Sequence, residues 1–581
     1  MRVSAARVAG SAWFAYGSVL LIQAKVLWGI WSYRDLSDGD SSEYFADAIA
    51  WADHRWVDPL FSPLYTALWG SLEWLVDDVY TVTIAHRVLI VLGVSLLVLA
   101  VARRLLSPGI AWGVAVWWAL LPIVYDTRNE IHLFAMVPLL AAVLVSLRFS
   151  GPWMRAGVFG VLLGTAVLVR NEAAIAAALW LLVCVAYEIR ARRRPAEGRA
   201  PLPVRNIAVP FAAVTLIVVG LGSLALLRAP DRQSLGEWAD AAAFKRDFAL
   251  CQHYALGYEE RHQGYISEGF TDCERFMQRD FDAGLPTFTE ALWTNPGAIG
   301  RHFLWNLQLA PYGLQLALFD RTSGPKRKNP DYIEAQTGSG LALVLSIGVL
   351  AVVVVGAGLL WRARRRWWEA WIGERAWGWV ALGCLAGMGI WVMVSTHPAP
   401  AYFFPLAFAL ICGVGLCTMA LVDRRPRLAS LRALLPLAAL ALVLLVPPRY
   451  DEGYSTPVLG AGRELAETVS RLESYRDRLS GSDQVLLAPH SYEVCNYLVS
   501  ESRCTPGPNL RSQPAGTRLP DWLDQEGVEF LYVDEPGSEG EPGRAAIEEL
   551  ERGAWRRIAP ADPGAAWVLL ERAPGARPQG G

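Results

Sequence analysis

The chain has 581 residues, 53% of them hydrophobic, with 25 Trp and a mean hydropathy of +0.28. That is too apolar for a soluble globular protein and fits one large polytopic membrane domain plus some soluble mass. Its 53 basic and 55 acidic residues leave a net charge of −2, so no nucleic-acid partner is expected and the placement of charge matters more than its sum.

In chain order, Arg2 and Arg7 precede an apolar stretch of roughly 20 residues, long enough to span a bilayer. It contains Gln23 and Lys25 and no small-residue cleavage site follows it, so it reads as a retained helix rather than a signal peptide. Apolar segments at about 11–31, 80–101, 110–125, 131–148, 156–170, 172–189, 207–227, 339–361, 377–396, 401–422 and 431–447 predict about eleven spans. Every second loop between them is basic: Arg103/Arg104, Arg148/Arg155, the IRARRRP run from Arg190, the WRARRRWW run from Arg362, and Arg424/Arg425/Arg427. By the positive-inside rule those loops and the N-terminus are cytoplasmic. Lys stands only at Lys25, Lys245, Lys326 and Lys328, an Arg bias associated with GC-rich bacterial genomes.

Three regions are then expected outside: the loop 32–79, the loop 228–338 and the tail from about 448. The first holds an acidic helical pattern and an amphipathic piece, FSPLYTALWGSLEWLV. The second carries helical stretches and a PGAIGRHFLWNLQLAP segment that returns to the membrane. In the tail, DQVLLAP, SYEVCNYLV, VEFLYVDE and AAWVLLER alternate strand and helix signals. The expected fold is an α-helical polytopic membrane domain over 1–447 and a small extracytoplasmic α/β domain over 448–581. The eight Cys form no CxxC pair or Cys/His metal spacing. Cys251 and Cys273 share one outer loop, and Cys495 and Cys504 share the tail. In an oxidising compartment each pair can form a disulfide; free thiols are the alternative.

Directly after the first span, LSDGDSSEYFADAIAWA sets Asp38, Asp40, Glu43 and Asp47 in a row. Tyr44, Phe45, Ala48, Ile49 and Ala52 share one face of a 3.6-residue helix, with Asp40, Glu43 and Asp47 opposite. Asp40 followed three residues later by Glu43 has the form of a capping box, so Asp40 reads either as a helix cap or as a working carboxylate. Other ionisable groups gather at the same side of the membrane. YDTRNEIH holds Asp126, Arg128, Glu130 and His132, VLVRNEAA holds Arg170 and Glu172, and STHPAPAYF holds His397. His86 and Arg87 lie about two turns inside the second span. Such groups are expensive at membrane depth and point to function, against the alternative of pairing or snorkelling. Carboxylates beside Arg suit an anionic lipid-linked substrate, since guanidinium binds phosphate in bidentate fashion and a carboxylate can take a proton from a hydroxyl.

On these motifs the membrane part resembles the C-type (GT-C) glycosyltransferases, which use polyprenyl-phosphate sugars. The nearest likeness is to the protein O-mannosyltransferase and aminoarabinose transferase group and to bacterial relatives acting on lipopolysaccharide. Asp40, Tyr44 and Ala48 keep the spacing of that family's first-loop acidic motif, with Ser41 where the second carboxylate often stands. RNEIHLFAMVPLL resembles its second outer loop and VLVRNEA its Arg-acid turn. HPAPAYFFPLAFAL resembles its late His-x-x-Arg-Tyr helix, except that Ala401 replaces the Arg. The resemblance implies an inverting glycosyltransferase of the bacterial inner membrane, with Asp40 as general base. Arg128, Arg170 and His397, with Arg87 or Arg301 as further sources of positive charge, would hold the donor phosphate. Glu43, Tyr44 and Glu130 would orient the acceptor or a divalent cation; carboxylates alone do not decide whether a metal takes part. The implied partners are a polyprenyl-phosphate sugar, membrane lipids, and a glycan, lipid or protein acceptor. An O-antigen ligase or polymerase is the rival enzyme class, and a non-catalytic lipid-binding or transport protein the rival outside enzymes.

Overall fold

The computed structural model describes residues 10–31, 36, 39–52, 62–76, 78–125, 130–193, 205–227, 235–263, 272–319, 321–324, 339–396, 398–424, 434–450, 457–481, 484–498, 504–508, 513–514, 516–534, 542–560 and 566–573. Helices occur at all eleven expected apolar positions, beginning with Ala12–Val26 and ending with Leu435–Leu445. Seven helices among the described residues are long and apolar enough to cross a membrane. The chain is thus an α-helical, polytopic, membrane-type protein with a small sheet near its C-terminal end.

Two compact units are formed. The first comprises Met1–Ile30, Arg55–Tyr65 and Ala85–Tyr454; the second comprises Trp31–His54, Thr66–Ile84 and Ser455–Gly581. In the first unit, apolar helices pack through small residues. A Cβ on Gly356 would stand 2.4 Å from Cβ of Cys417, so helices Gly340–Arg362 and Phe404–Arg424 approach as closely as the missing side chain allows. The long loop expected over 228–338 folds into helices Leu235–Gln263, Cys273–Phe281, Phe288–Thr294 and Pro296–Phe319. Their core contains Tyr254, Phe276, Met277, Phe281 and Ile299, closed by a Cys251–Cys273 disulfide with a Cα separation of 5.5 Å. Thr287 and Glu290 make a reciprocal capping box at the start of Phe288–Thr294. Asn306 Nδ2 donates to the carbonyl of Val394 at 2.9 Å, tying this bundle to helix Ala376–Ser395.

In the second unit the tail forms a five-stranded sheet of order β2-β1-β3-β5-β4, where β1 is Val485–Leu487, β2 Thr505–Pro506, β3 Phe530–Val533, β4 Trp555–Ala559 and β5 Val568–Arg572. β2, β1 and β3 run parallel, while β5 is antiparallel to β3 and β4. All four residues of β3 are buried, as an apolar run without alternation requires of a central strand. Leu487, Trp522, Leu531, Ile547, Trp555 and Leu570 fill the core. The second disulfide, Cys495–Cys504, has a Cα separation of 5.3 Å. It joins the helix Ser491–Tyr497 to the chain entering β2.

Candidate functional site

The residues singled out from the sequence fall in both units. In the second unit the acidic helix, Asp40–Ala52, begins after Gly39, whose φ of +60° is a conformation that favours glycine. Its first turn is closed by Ser42, whose N–H and hydroxyl donate to the Gly39 carbonyl at 3.0 and 2.8 Å. The capping box expected of Asp40 and Glu43 is therefore not the device that starts this helix. Asp40 is the first helical residue, its side chain is exposed, and no described residue donates a hydrogen bond to its carboxylate.

Along the same helix, Tyr44 and Phe45 are buried as expected. Glu43 is half-buried and accepts from Asn496 Nδ2 at 3.3 Å. Asp47, expected opposite the apolar face, is only 3% exposed. The helix is enclosed rather than laid on a surface, since Ser41, Ser42 and every residue from Tyr44 to Ala50 are buried, which takes in all its sides. On the apolar face the Phe45 ring stands 5.3 Å from that of Trp69 on helix Pro63–Glu73 and 5.1 Å from that of Tyr497 on the tail helix. A Cβ on Gly70 would meet the Ala48 carbonyl at 2.6 Å, so only glycine permits this helix crossing. Asp38 lies outside the described residues.

In the first unit two clusters meet at the start of helix Glu130–Arg148. Glu130 and Arg87 form a buried ion pair, Nε to Oε1 at 2.7 Å. His86 Nδ1 is 3.6 Å from Glu130 Oε2, and the Tyr65 hydroxyl donates to that oxygen at 3.4 Å. Arg87 is thus engaged by a carboxylate. The second cluster surrounds Tyr402, in the short helix Pro400–Phe403 that also holds Ala401. The Tyr402 ring is 4.6 Å from that of His132 and 6.0 Å from that of His253, and the Arg170 guanidinium carbon stands 5.8 Å from its centroid. Arg170 also chelates Glu172, Nε to Oε2 at 3.2 Å and Nη2 to Oε1 at 2.5 Å. Arg128 and His397 lie outside the described residues.

Tyr402 and His253 are absent from the expected site residues. Tyr402 is legible in hindsight as the aromatic of the HPAPAYF run. His253 stands on helix Leu235–Gln263 of the long loop without a sequence signal of its own. The same loop carries a cationic cluster. Arg279 and Arg261 stand 3.9 and 5.6 Å from the Tyr258 ring centroid, and Arg301 lies close enough to act electrostatically on Arg261 and Asp280. Asp280, paired with Arg279 at 2.7 Å, is the carboxylate that offsets it. Burial alone would raise the Asp280 carboxyl. Hydrogen bonds from Arg279 and Tyr254, with the charges of Arg279 and Arg301, hold it below its ordinary value.

Among the described residues, no three His, Cys, Asp or Glu side chains gather around one point as metal ligands. The chain matches no protein-family model and no curated protein. Among solved structures it is similar to the Archaeoglobus fulgidus oligosaccharyltransferase tethered with an acceptor peptide. That likeness has a TM-score of 0.42 and 13% identity, over 90% of this chain and 69% of that one. Against the same enzyme in complex with Zn and sulfate the values are 0.37 and 12%, over 90% and 67%. It is likewise similar to ArnT from Cupriavidus metallidurans bound to undecaprenyl phosphate, with a TM-score of 0.40 and 14% identity, over 97% and 99%.

Proposed function

We propose that this chain is an inverting membrane glycosyltransferase that moves a sugar from a polyprenyl-phosphate donor to a hydroxyl of a lipid, glycan or protein on the extracytoplasmic side. The observation that carries the reading is Asp40: an exposed carboxylate without a described protein donor, at the head of a helix whose first-loop motif also holds buried Tyr44 and Ala48. A carboxylate that closes a cap is engaged by its own backbone; one left open can accept a proton.

In this mechanism the acceptor hydroxyl attacks the anomeric carbon from the face opposite the phosphate. Its proton passes to Asp40, the new C–O bond forms as the bond to phosphate breaks, and polyprenyl phosphate leaves. The leaving group gains negative charge in the transition state, and cationic or hydrogen-bond-donating groups placed against it lower that barrier. Arg170, with Arg128 and His397, fills this role, and the outer-loop cluster of Arg261, Arg279 and Arg301 offers additional positive charge. Arg87, only 3% exposed and paired with Glu130, supports the fold instead, whereas Arg170 keeps 23% exposure beside Glu172. The protein belongs, in this reading, to the inner membrane of a bacterium, with its N-terminus cytoplasmic.

The test is release of polyprenyl phosphate and formation of the β- or α-linked product of inverted configuration by the purified protein. It is run with a panel of polyprenyl-phosphate sugars and an extract of envelope lipids and glycans as acceptor. Donor-dependent transfer is expected; tight donor binding without turnover across the panel would overturn the proposal.

A further inference from the structure

The acidic helix is held from the tail by a buried amide and its neighbours on one short helix. Asn496, 6% exposed on helix Ser491–Tyr497, donates from Nδ2 to Ser42 Oγ at 3.2 Å and to Glu43 Oε1 at 3.3 Å. Three residues before it, Glu493 Oε1 accepts the Gly39 N–H at 3.4 Å. The next residue, Tyr497, packs its ring on Phe45. The residue before it, Cys495, is bonded to Cys504. The turn that presents Asp40 is thus tied at Gly39, Ser42, Glu43 and Phe45 to one short helix 454 residues further along the chain. All of these residues belong to the second compact unit.

The chemistry of the pair is one-directional. An ionised carboxylate only accepts hydrogen bonds, and an amide NH2 only donates them. Leucine or alanine at 496 would leave Ser42, which is fully buried, and Glu43 without this donor. A helix of seven residues does not hold its own shape in water, so the adjacent disulfide and the β1–β2 edge supply the rigidity that Asn496 passes on.

We propose that Asn496 is a positioning residue for the transfer reaction: it fixes the first turn of the acidic helix so that the Asp40 carboxylate is presented in one orientation, with Cys495–Cys504 bracing the helix that carries it. This inference rests on the reading of Asp40 as the base. Asn496 touches no reacting atom and acts through Ser42 and Glu43. A misdirected base is felt in the transition state, so its loss lowers kcat and leaves KM nearly unchanged.

The experiment uses the full-length purified protein in three variants: Asn496→Asp, Glu43→Gln, and the two combined. Asn496→Asp sets two carboxylates face to face, and kcat is expected to fall on the order of 10–100-fold, the scale of a base displaced by about 1 Å. The double variant re-forms the bond between positions 43 and 496 with donor and acceptor exchanged, while the bond from 496 to Ser42 stays lost, and its kcat is expected to recover most of the way toward that of Glu43→Gln alone. A role confined to stability predicts no such recovery. Normal kcat in Asn496→Asp, or a folded double variant no faster than Asn496→Asp, overturns the proposal. Hydrogen exchange of residues 40–52 is read on the same samples; it should accelerate in Asn496→Asp and slow again in the double variant. Absence of transfer by the unmodified protein overturns the proposed function and, with it, the part of Asn496 in catalysis. Unchanged exchange in Asn496→Asp overturns the anchoring itself.

Discussion

Arg87 donates through Nε to Glu130 at 2.7 Å, with the two side chains only 3% and 4% exposed. Removing one partner of such a pair strands the other charge in a low-dielectric interior, which is far worse than removing both. Arg87→Met or Glu130→Gln should each cost roughly 3–5 kcal/mol of stability, and Arg87→Met combined with Glu130→Leu should regain much of it. Thermal unfolding in detergent measures this. Single variants as stable as the unmodified protein would mean that the pair contributes nothing.

Asp40 separates chemistry from capping. Because it is exposed and closes no cap, Asp40→Asn should change stability by less than about 1 kcal/mol, the scale of a first-turn charge at a helix N-terminus. Transfer should nevertheless fall by roughly 10²–10⁴-fold, the usual worth of a general base. Near-normal turnover of Asp40→Asn would remove it from the reaction.

The cysteines make a prediction read by mass spectrometry. Non-reduced digests should contain Cys251–Cys273 and Cys495–Cys504 cross-links, with Cys184, Cys384, Cys412 and Cys417 as thiols. Replacing Cys251 and Cys273 together with Ser should destabilise the outer-loop bundle by about 3 kcal/mol, the loop-entropy scale for a closure of this length. Free thiols at Cys251, Cys273, Cys495 and Cys504 would contradict the structure.

Acid should loosen the same bundle through Asp280, whose carboxyl is held below its ordinary value of 3.8. A depressed folded value means that the folded state binds the proton less well than the unfolded one. The stability it adds is complete above the unfolded value and is lost as pH falls through the folded one. Thermal unfolding of the unmodified protein should therefore decline more steeply below about pH 4, where free Asp titrates, than that of Asp280→Asn. Parallel pH curves would discount the interaction.

The Arg-rich loops predict a membrane sidedness. Reporter fusions after about residue 195 and about residue 500 should report opposite sides, the first cytoplasmic and the second not. Identical signals at the two points would overturn the assigned orientation.

The sequence by itself determined what depends on near neighbours. Runs such as 339–361 and 377–396 became helices Gly340–Arg362 and Ala376–Ser395, because a bilayer-length apolar run has to satisfy its backbone internally. VEFLYVDE became the buried strand β3 for the related reason that a short, β-branched and aromatic apolar run suits a sheet interior. Tertiary structure alone decided which faces are covered and which distant groups meet. Periodicity placed Asp47 opposite the apolar face of its helix, but every residue from Tyr44 to Ala50 is buried, so that helix is covered on all sides and Asp47 with it. Nothing in the spacing of residues 40–52 points to Asn496, and nothing local joins His132, Arg170, His253 and Tyr402. These pairings depend on how separately encoded elements pack, and a hydrogen bond across more than 400 residues leaves no periodic trace in the chain that forms it.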